Sequence, residues 1–362
     1  MDIKSPTGVF VSNYIYIAES TRIVVADKDG NIIKEITKPI SELFDQQKTF
    51  SPQKIAVDKA GNIYAVLNNI TTGSAVFAPD GSFTGFYGAD SVQTTADIVS
   101  DYISDMFVSD EKRARRSRNI PTSITNFDID GDFVFTCTAS REDAVKKLNA
   151  TGRNVFYNKE LTFGDYTPMY DTSQNRLMKS EIIDIDISAD GSVNCLDRTA
   201  GRVFRYDEDG ELLFIFGGTG KQVGNFQQVS AIETSDSRVF VADSMKNSIT
   251  IFAETDFGNV VNRAVSLYND GYYEEALEPF REVIRRDGSY RYAYKGVASA
   301  LLRQGDYKNS MKYAEIAGEQ EIYSKAFEGY RQEFIRSNGG YIFIVVILLF
   351  LAIFHRKRRK RR

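Results

Sequence analysis

The residue types in this chain restrict the chemistry that it could perform. Among its 362 residues there is one histidine, His355, which lies close to the C-terminus. The chain before it therefore has no imidazole to act as a general base, as the partner of a nucleophile or as a metal ligand. This excludes Ser-His-Asp triads and histidine-dependent zinc sites from the body of the protein. A site built from carboxylates remains open, because hard cations such as calcium take only oxygen ligands.

Four aspartates stand at positions where a carboxylate site could form. Asp58, Asp128 and Asp190 lie in or beside Asp-Gly turn sequences, and Asp243 follows a strand-like run. An aspartate in such a place readily accepts hydrogen bonds from nearby backbone amides. We therefore interpret all four as structural, and keep Asp243 as the one candidate metal ligand. No catalytic residue and no cofactor is predicted.

These aspartates belong to a unit that recurs through residues 1–255. Each copy has short strands of alternating or β-branched character, joined by Asp-Gly turns. One unit alone leaves an apolar face exposed, so several must pack side by side, which favours a β-propeller. Five copies are visible: Pro6 to Ile36, Pro52 to Gly81, Pro121 to Gly152, Ile183 to Gly217 and Phe226 to Phe252.

The clearest copy runs from Pro52 to Tyr64 and reads Pro-x-x-Ile-x-Val-Asp-x-x-Gly-x-Ile-Tyr. It resembles the NHL repeat, and the resemblance implies a propeller that is generally six-bladed. A sixth blade would then be lost with an N-terminal truncation, or be distributed over Phe156 to Met178. Residues from about 90 to 119 read as a helical insertion in a propeller loop.

The period changes after residue 255. The stretches Gly271 to Ala276 and Gly305 to Ser310 align at a spacing of 34 residues. Thirty-four residues is the period of the tetratricopeptide repeat (TPR), which the stretch resembles. The resemblance implies two TPR-like repeats and a capping helix over 256–337. It also implies a concave groove lined by Asn262, Lys295, Ser299 and Arg303, which are the candidate partner-binding residues. Alternatively, the two repeats only connect the propeller to a membrane.

The C-terminal segment favours membrane attachment. The run from Tyr341 to Phe354 is apolar apart from one hydroxyl, and seven basic residues follow at 356–362. We therefore predict a transmembrane helix over 339–355 with a basic cytoplasmic tail over 356–362. The strictly apolar run spans only about 21 Å against a hydrocarbon core of roughly 30 Å, so a short buried helix of a soluble domain is the alternative.

Charge and cysteine content set further limits. The formal charge is −4, and without the seven basic tail residues it becomes −11. An acidic body argues against nucleic-acid binding, and a basic tail suits anionic lipid head groups. Cys137 and Cys195 end apolar strand-like runs and are expected to be buried free thiols. Because the N-terminus shows no export signal, we hypothesise that the chain is a fragment or processed form.

Propeller, TPR-like repeats and membrane span in this order resemble a group of bacterial membrane proteins often labelled gluconolactonase or NHL-repeat proteins. We expect a single-pass protein of the cell membrane, with an extracytoplasmic body that binds a protein, peptide or glycan without catalysis. The alternative is a metal-dependent lactonase. Lactonase-like propellers carry an early Glu-Gly-Pro-x-Trp element, whereas this chain contains no tryptophan.

Overall fold

The computed structural model describes residues 3–68, 70, 73–87, 124–138, 144–156, 163–165, 169–171 and 176–359. The chain divides into two compact units, Met1–Ala253 and Glu254–Arg362. The first unit is built from β-strands and the second from α-helices. Each unit is considered separately below.

The described strands of the first unit form five antiparallel sheets of three or four strands and one two-stranded hairpin. The first sheet contains β1 (Pro6–Val11), β2 (Ile15–Glu19), β3 (Ile23–Ala26) and β4 (Ile32–Ile36). The second contains β5 (Pro52–Val57), β6 (Ile63–Leu67), β7 (Ser74–Phe77) and β8 (Phe83–Tyr87). The third contains β9 (Ile124–Asp130), β10 (Phe133–Thr138) and β11 (Val145–Leu148).

Two further sheets complete the series along the chain. The fourth contains β14 (Ile182–Ile187), β15 (Val193–Asp197), β16 (Arg202–Tyr206) and β17 (Leu212–Gly217). The fifth contains β18 (Val229–Ser235), β19 (Arg238–Asp243) and β20 (Ser248–Ala253). The hairpin between the third and fourth sheets pairs β12 (Met169–Asp171) with β13 (Arg176–Met178).

The sheets are the blades of a propeller. In each one the strands follow the order of the chain, so that the first strand forms one edge. These first strands pack against one another in succession, β1 on β5, β5 on β9, β9 on β14 and β14 on β18. A mainly β, five-bladed propeller followed by C-terminal helices is therefore the observed architecture.

Turn aspartates fix the hairpins that the sequence marks with Asp and Gly. Asp58 Oδ1 accepts hydrogen bonds from the amides of Ala60 and Asn62, at 2.9 and 2.8 Å. Gly61 completes this turn with a φ of 83°, a conformation that costs glycine little. The local sequence thus determines where the first strand of the blade ends and the second begins.

Apolar side chains fill the space between adjacent blades. Between the first and second blades lies a cluster that includes Ile23, Phe44 and Phe77, all almost fully buried. Cys137 and Cys195 lie in a corresponding cluster between the third and fourth blades. Both are buried and free of disulfide bonds, which confirms the expectation from sequence.

All five repeats expected from the sequence correspond to blades. A six-bladed propeller is not found among the described residues. Between Phe156 and Met178 the strands in the described residues are those of the β12–β13 hairpin, which is not a blade of three or four strands. The helical insertion expected at about 90–119 lies outside the described residues.

The second unit contains five helices in the part of the chain described. They are α1 (Asp256–Asn269), α2 (Tyr273–Arg286), α3 (Arg291–Gln304), α4 (Tyr307–Ala317) and α5 (Gln320–Arg359). Each helix packs against the next one along the chain. Thr255 caps α1 by accepting the amide of Gly258 at 3.1 Å, and Gly305 ends α3 with a φ of 80°.

The single straight span expected at 339–355 is not confirmed. No individual helix in the described part of the chain is both long and apolar enough to cross a membrane. Two consecutive stretches, Gln320–Tyr341 and Phe343–Ile353, satisfy that criterion jointly, with a bend of 52° between them.

The close approach of α2 and α3 gives a test of the helical packing. A Cβ atom added at Gly296 would lie 2.4 Å from Cε2 of Phe280, whose side chain is fully buried. We expect Gly296→Ala to lower the free energy of unfolding of the helical unit by about 1–3 kcal/mol through overpacking. Gly339→Ala is the control, because no atom lies within 4 Å of its added Cβ. Urea unfolding followed by helical circular dichroism measures both, and equal stability of the two variants would contradict this packing.

Candidate functional site

A cavity of about 590 Å³ runs along the first strands of the blades. In all five blades, a bulge near the start of the first strand sets the register of that strand. Since side chains alternate along a strand, residues at every second position after the bulge share one face. The first row on this face is Gly8, Lys54, Asn126, Asp184 and Ala231, and the second row is Phe10, Ala56, Asp128, Asp186 and Glu233. All of them except Ala56 line the cavity.

The aspartates of these rows link neighbouring blades. Asp128 Oδ2, on β9, accepts the amide of Ile187 on β14 at 2.8 Å. Asp184 Oδ2, on β14, accepts the amide of Ile232 on β18 at 2.9 Å. In each case a carboxylate from one blade satisfies a backbone donor on the first strand of the next.

Asp186 adds a side-chain link in the same place. Its Oδ2 accepts the hydroxyl of Thr234, on β18, at 2.5 Å. Within the first row, Lys54 Nζ lies 3.8 Å from Asp184 Oδ2, and this ion pair connects β5 with β14. Asp184 and Asp186 are 3 % and 5 % exposed, and their charges are thus held largely away from solvent.

Burial and mutual repulsion raise the pKa values of the second-row carboxyls. Burial and the charge of Asp128 raise the pKa of Asp186 to about 8. Burial also raises the pKa of Asp128 to about 6, against the lowering effect of its backbone hydrogen bonds. Burial, with the charges of Asp128 and Asp184, raises the pKa of Glu233 to about 7. Glu233 is the exposed member of the row, so salt screens its charge more than that of Asp186.

Asn126 also lines the cavity, and the donor group of its side-chain amide makes no hydrogen bond to the described residues. It is 6 % exposed, and its Oδ1 accepts the amide of Phe127 at 2.8 Å. The Nδ2 donor is therefore available to water or to a ligand in the cavity.

Apart from Thr7, the rest of the cavity wall is apolar. Val9 and Val11 on β1 are 65 % and 62 % exposed, and Ile249 on β20 is 66 % exposed. All three line the same cavity as the carboxylates. The site therefore combines a charged surface, formed by β9, β14 and β18, with an apolar surface formed by β1 and β20.

The interpretation of an aspartate as a residue that bonds its own turn is correct for Asp58 and Asp190 and wrong for Asp128. Asp58 holds its own turn as described above. Asp190 accepts the amide of Ser192 at 3.0 Å and the guanidinium of Arg205 at 2.7 Å. Asp128 instead lies within β9 and bonds to β14, because the turn of that hairpin is formed by later residues.

Asp243, the candidate metal ligand, lies at the end of β19 and is 2 % exposed. Its two oxygens accept four backbone amides at 2.7 to 3.2 Å, those of Gln227, Gln228, Met245 and Lys246. Burial raises the pKa of Asp243, but these hydrogen bonds outweigh burial and bring it below the ordinary value. Among the described residues, no group of three or more His, Cys, Asp or Glu side chains could hold a metal ion.

The candidate groove residues lie on α1 and α3. Lys295, Ser299 and Arg303 are spaced by four residues along α3 and so share one face of the helix. Lys295 Nζ lies 5.8 Å from the ring centre of Tyr292. Arg303 lies 5.3 Å from that of Tyr273.

The other two groove positions are more enclosed. Ser299 is 9 % exposed, which places it at the edge of the packed interior. Asn262 donates from Nδ2 to Glu254, and its buried Oδ1 has no partner among the described residues. The structure thus places three of the four candidates on one helix and leaves an acceptor unsatisfied on the other.

Apart from Asp128, which is interpreted as structural, the cavity residues are not among the candidates from sequence, although a signal for them exists. The run Ile183-Asp-Ile-Asp-Ile alternates aspartate with isoleucine, and Asn126 and Asp128 alternate in the same way. Period-two placement of carboxylates within an apolar strand indicates that one face of the strand lines a polar cavity. The Asp-Gly turn signal nearby drew the interpretation to the turn instead.

Comparisons with known proteins place the chain in no family. No protein-family model matches it, and neither does any curated protein. Among solved structures, a streptogramin B lyase has 14 % identity and a TM-score of 0.38, with 70 % of this chain and 85 % of that chain covered. A nidogen/laminin complex has 13 % identity and a TM-score of 0.40, covering 68 % and 75 %. Virginiamycin B lyase from Staphylococcus aureus has 10 % identity and a TM-score of 0.36, covering 69 % and 85 %.

With TM-scores below 0.5 these likenesses carry no argument about a site or an activity. The propeller is established by the strand order and packing of its own sheets.

The raised pKa values predict how stability depends on pH. Asp186 stays protonated in the fold up to about pH 8, while in the unfolded chain it ionises near pH 4. Between these pH values the folded protein therefore binds more protons than the unfolded chain. Its free energy of unfolding falls as the pH rises from 5.5 to 8.5. We expect Asp186→Asn to remove much of this fall, on the order of 2 kcal/mol, because an amide keeps an acceptor for Thr234 without the charge.

Chemical unfolding at a series of pH values measures this effect. Asp236→Asn is the control, because Asp236 lies on the exposed turn between β18 and β19 with a φ of 48°, which asparagine also tolerates. A wild-type stability that is constant or increasing from pH 5.5 to 8.5, unaffected by Asp186→Asn, would contradict the assignment.

Proposed function

We propose that this chain is a binding protein without catalytic activity, in which an NHL-like propeller takes a protein, peptide or glycan ligand. The observation that supports this proposal is the cavity along the first strands, with its carboxylates, unengaged amide donor and apolar wall. Concave sites with a few convergent polar groups in an apolar lining are the usual form of ligand sites. The acidic charge of the cavity and of the body disfavours nucleic acid.

The proposal extends to a membrane address. The exposed apolar side chains of α5, from Phe343 to Leu351, form a continuous run that has no cover within the described chain. Exposed apolar surface of this extent suits a membrane or another protein. Together with the basic residues at 356–362, it supports a membrane-anchored protein with an extracytoplasmic body and a cytoplasmic C-terminus.

The helical unit is proposed to be a pair of TPR-like repeats. The starts of α2 at Tyr273 and of α4 at Tyr307 are 34 residues apart, which is the sequence offset. Ala264 and Ala298, which share this offset, are both fully buried. Small buried residues at equivalent positions let successive helices approach closely. The α3 face with Lys295 and Arg303 would be the part of this unit that contacts a partner.

A lactonase is the rival function, and Asp243 separates the two. In a metal-dependent lactonase, Asp243→Ala would abolish turnover. In a binding protein it removes the acceptor of four backbone amides and lowers the free energy of unfolding, on the order of 3 kcal/mol. We expect wild type and Asp243→Ala to hydrolyse gluconolactone in the presence of calcium no faster than buffer.

Thermal unfolding of the same two proteins should show a lower melting temperature for Asp243→Ala. Asp243→Asn, which keeps one carbonyl acceptor, is expected to fall between them. Calcium-dependent lactone hydrolysis by wild type that disappears in Asp243→Asn, at a temperature where both are folded, would refute the proposal.

The membrane proposal is tested in cells that express the chain with an added export signal. Protease applied to intact cells should degrade the propeller and helices α1–α4, and leave only a C-terminal fragment in the membrane fraction. A variant that ends at residue 337 is the control, and it should leave the membrane fraction. Full protection of the body in intact cells, with degradation after lysis, would refute the proposed orientation.

A further inference from the structure

The two rows of the propeller cavity differ in their polar groups. The first row carries the donors Lys54 Nζ and Asn126 Nδ2, and its one carboxylate, Asp184, is already held by the amide of Ile232 and by Lys54. The polar groups of the second row are all carboxyls, those of Asp128, Asp186 and Glu233. A ligand that satisfies both rows must therefore carry a hydrogen-bond donor and, a few ångströms away, an acceptor.

The charge of the second row specifies the donor. The groups that face one another here are Asp128 and Asp130 on β9, Asp184 and Asp186 on β14, Glu233 on β18 and Lys54 on β5. Lys54 is the only cation among them, so the cavity contains an excess of negative charge at neutral pH. A cationic donor is favoured, because it relieves the repulsion that disfavours ionisation of these carboxyls.

A metal ion fits this site poorly. One oxygen each of Asp128, Asp184 and Asp186 is already held by β14 or β18 through Ile187, Ile232 and Thr234. These bonds fix the carboxyls in directions set by the blades, and no three of them form a metal-binding group among the described residues. Hydrogen bonds from an ammonium group, at roughly 2.8 Å each and with broader angular tolerance, do not require such convergence.

The acceptor is specified by Asn126. Its Nδ2 makes no hydrogen bond to the described residues and borders the cavity, and Asn126 stands two residues before Asp128 on the same strand. A carbonyl oxygen close to the ammonium group would accept from it. The apolar surface of Val9, Val11 and Ile249, which continues the cavity, then requires an apolar group on the same ligand.

We propose that this cavity binds the N-terminal residue of a peptide that begins with an apolar side chain. The α-ammonium group lies against Asp128, Asp186 and Glu233, the first carbonyl accepts from Asn126, and the side chain packs on Val9, Val11 and Ile249. This inference rests on the proposed binding function and names its ligand class. An amino sugar offers an ammonium group and oxygens too, but it has no aliphatic body for the apolar surface.

The proposal has a characteristic pH dependence. Below about pH 7 the carboxyls of Asp186 and Glu233 hold protons that the incoming ammonium group must displace. Above about pH 8 the peptide α-amino group itself loses its charge. Affinity is therefore greatest between these limits, and binding at pH 6.5 releases protons to the buffer.

Isothermal titration calorimetry of the full chain with trivaline amide tests the proposal. The N-acetyl derivative of the same peptide lacks the charge, and its Kd should be at least about tenfold higher. Titrations at pH 6.5 in two buffers of different ionisation enthalpy should report proton release. Equal affinity of the two peptides, or no binding of either, overturns the proposal.

Two variants locate the interaction. Glu233→Gln should weaken trivaline amide by about tenfold, because Glu233 faces the cavity and is not one of the carboxyls that bond the next blade. Asp236→Asn, on the exposed turn after the same strand, should bind like wild type. Binding unchanged in Glu233→Gln, or glucosamine binding as tightly as the peptide, overturns the proposal. Neither result would affect the lactone test, so failure of this inference is distinguishable from failure of the proposed function.

Discussion

The propeller hub depends on the hydrogen bond that a backbone amide of one blade donates to a carboxylate of the preceding blade. The first strand of a blade has one edge that no further strand covers, and donors on that edge need acceptors. Asp128 and Asp184 provide them, for Ile187 and Ile232 respectively. Because each bond crosses from blade to blade, it fixes both the spacing and the register of the first strands. The polar rows of the cavity follow from that register.

This arrangement concentrates negative charge where it is costly. Placing carboxyls on adjacent strands at a narrow hub satisfies the edge amides, yet it brings Asp186 and Glu233 close to Asp128. Burial and repulsion then raise their pKa values towards or above neutrality. Lys54 offsets this at Asp184, with which it forms an ion pair, and its charge also acts against the raised pKa of Glu233. The carboxyls that hold the blades together are therefore also the groups that would attract a cation. Functional sites often contain such energetically unfavourable arrangements.

The sequence predicts the blades well and the site poorly, for a definite reason. Turn chemistry is local, so Asp58 and Gly61 reveal a hairpin without knowledge of the rest of the fold. The partners of Asp128 and Asp184 are 59 and 48 residues away, and no local pattern identifies them. The alternation of Asp184 and Asp186 with isoleucine does reveal a face lined with carboxyls. Which other strand contributes to that face depends on the order of the blades.

Repetition among the blades distinguishes structural carboxyls from those specific to a site. Asp243 pairs in register with Val229, at the position where Glu19 pairs with Pro6 and Asp197 with Ile182. All three end the second strand of a blade and accept backbone amides near the start of the first. A role that recurs in three blades is a feature of the repeat, so Asp243 needs no metal to explain its burial.

The cavity rows do not repeat in this way. At the position of Asp184 the other blades have Gly8, Lys54, Asn126 and Ala231, and at the position of Asp186 they have Phe10, Ala56, Asp128 and Glu233. The residue types at equivalent positions thus range from glycine and alanine to lysine and aspartate. The unequal rows define an asymmetric surface, with Lys54 and Asn126 at one level and the carboxyls of Asp128, Asp186 and Glu233 at the other. An asymmetric surface of this kind favours one orientation of a bound ligand. Asp243 gives no such preference, because its role is repeated in three blades.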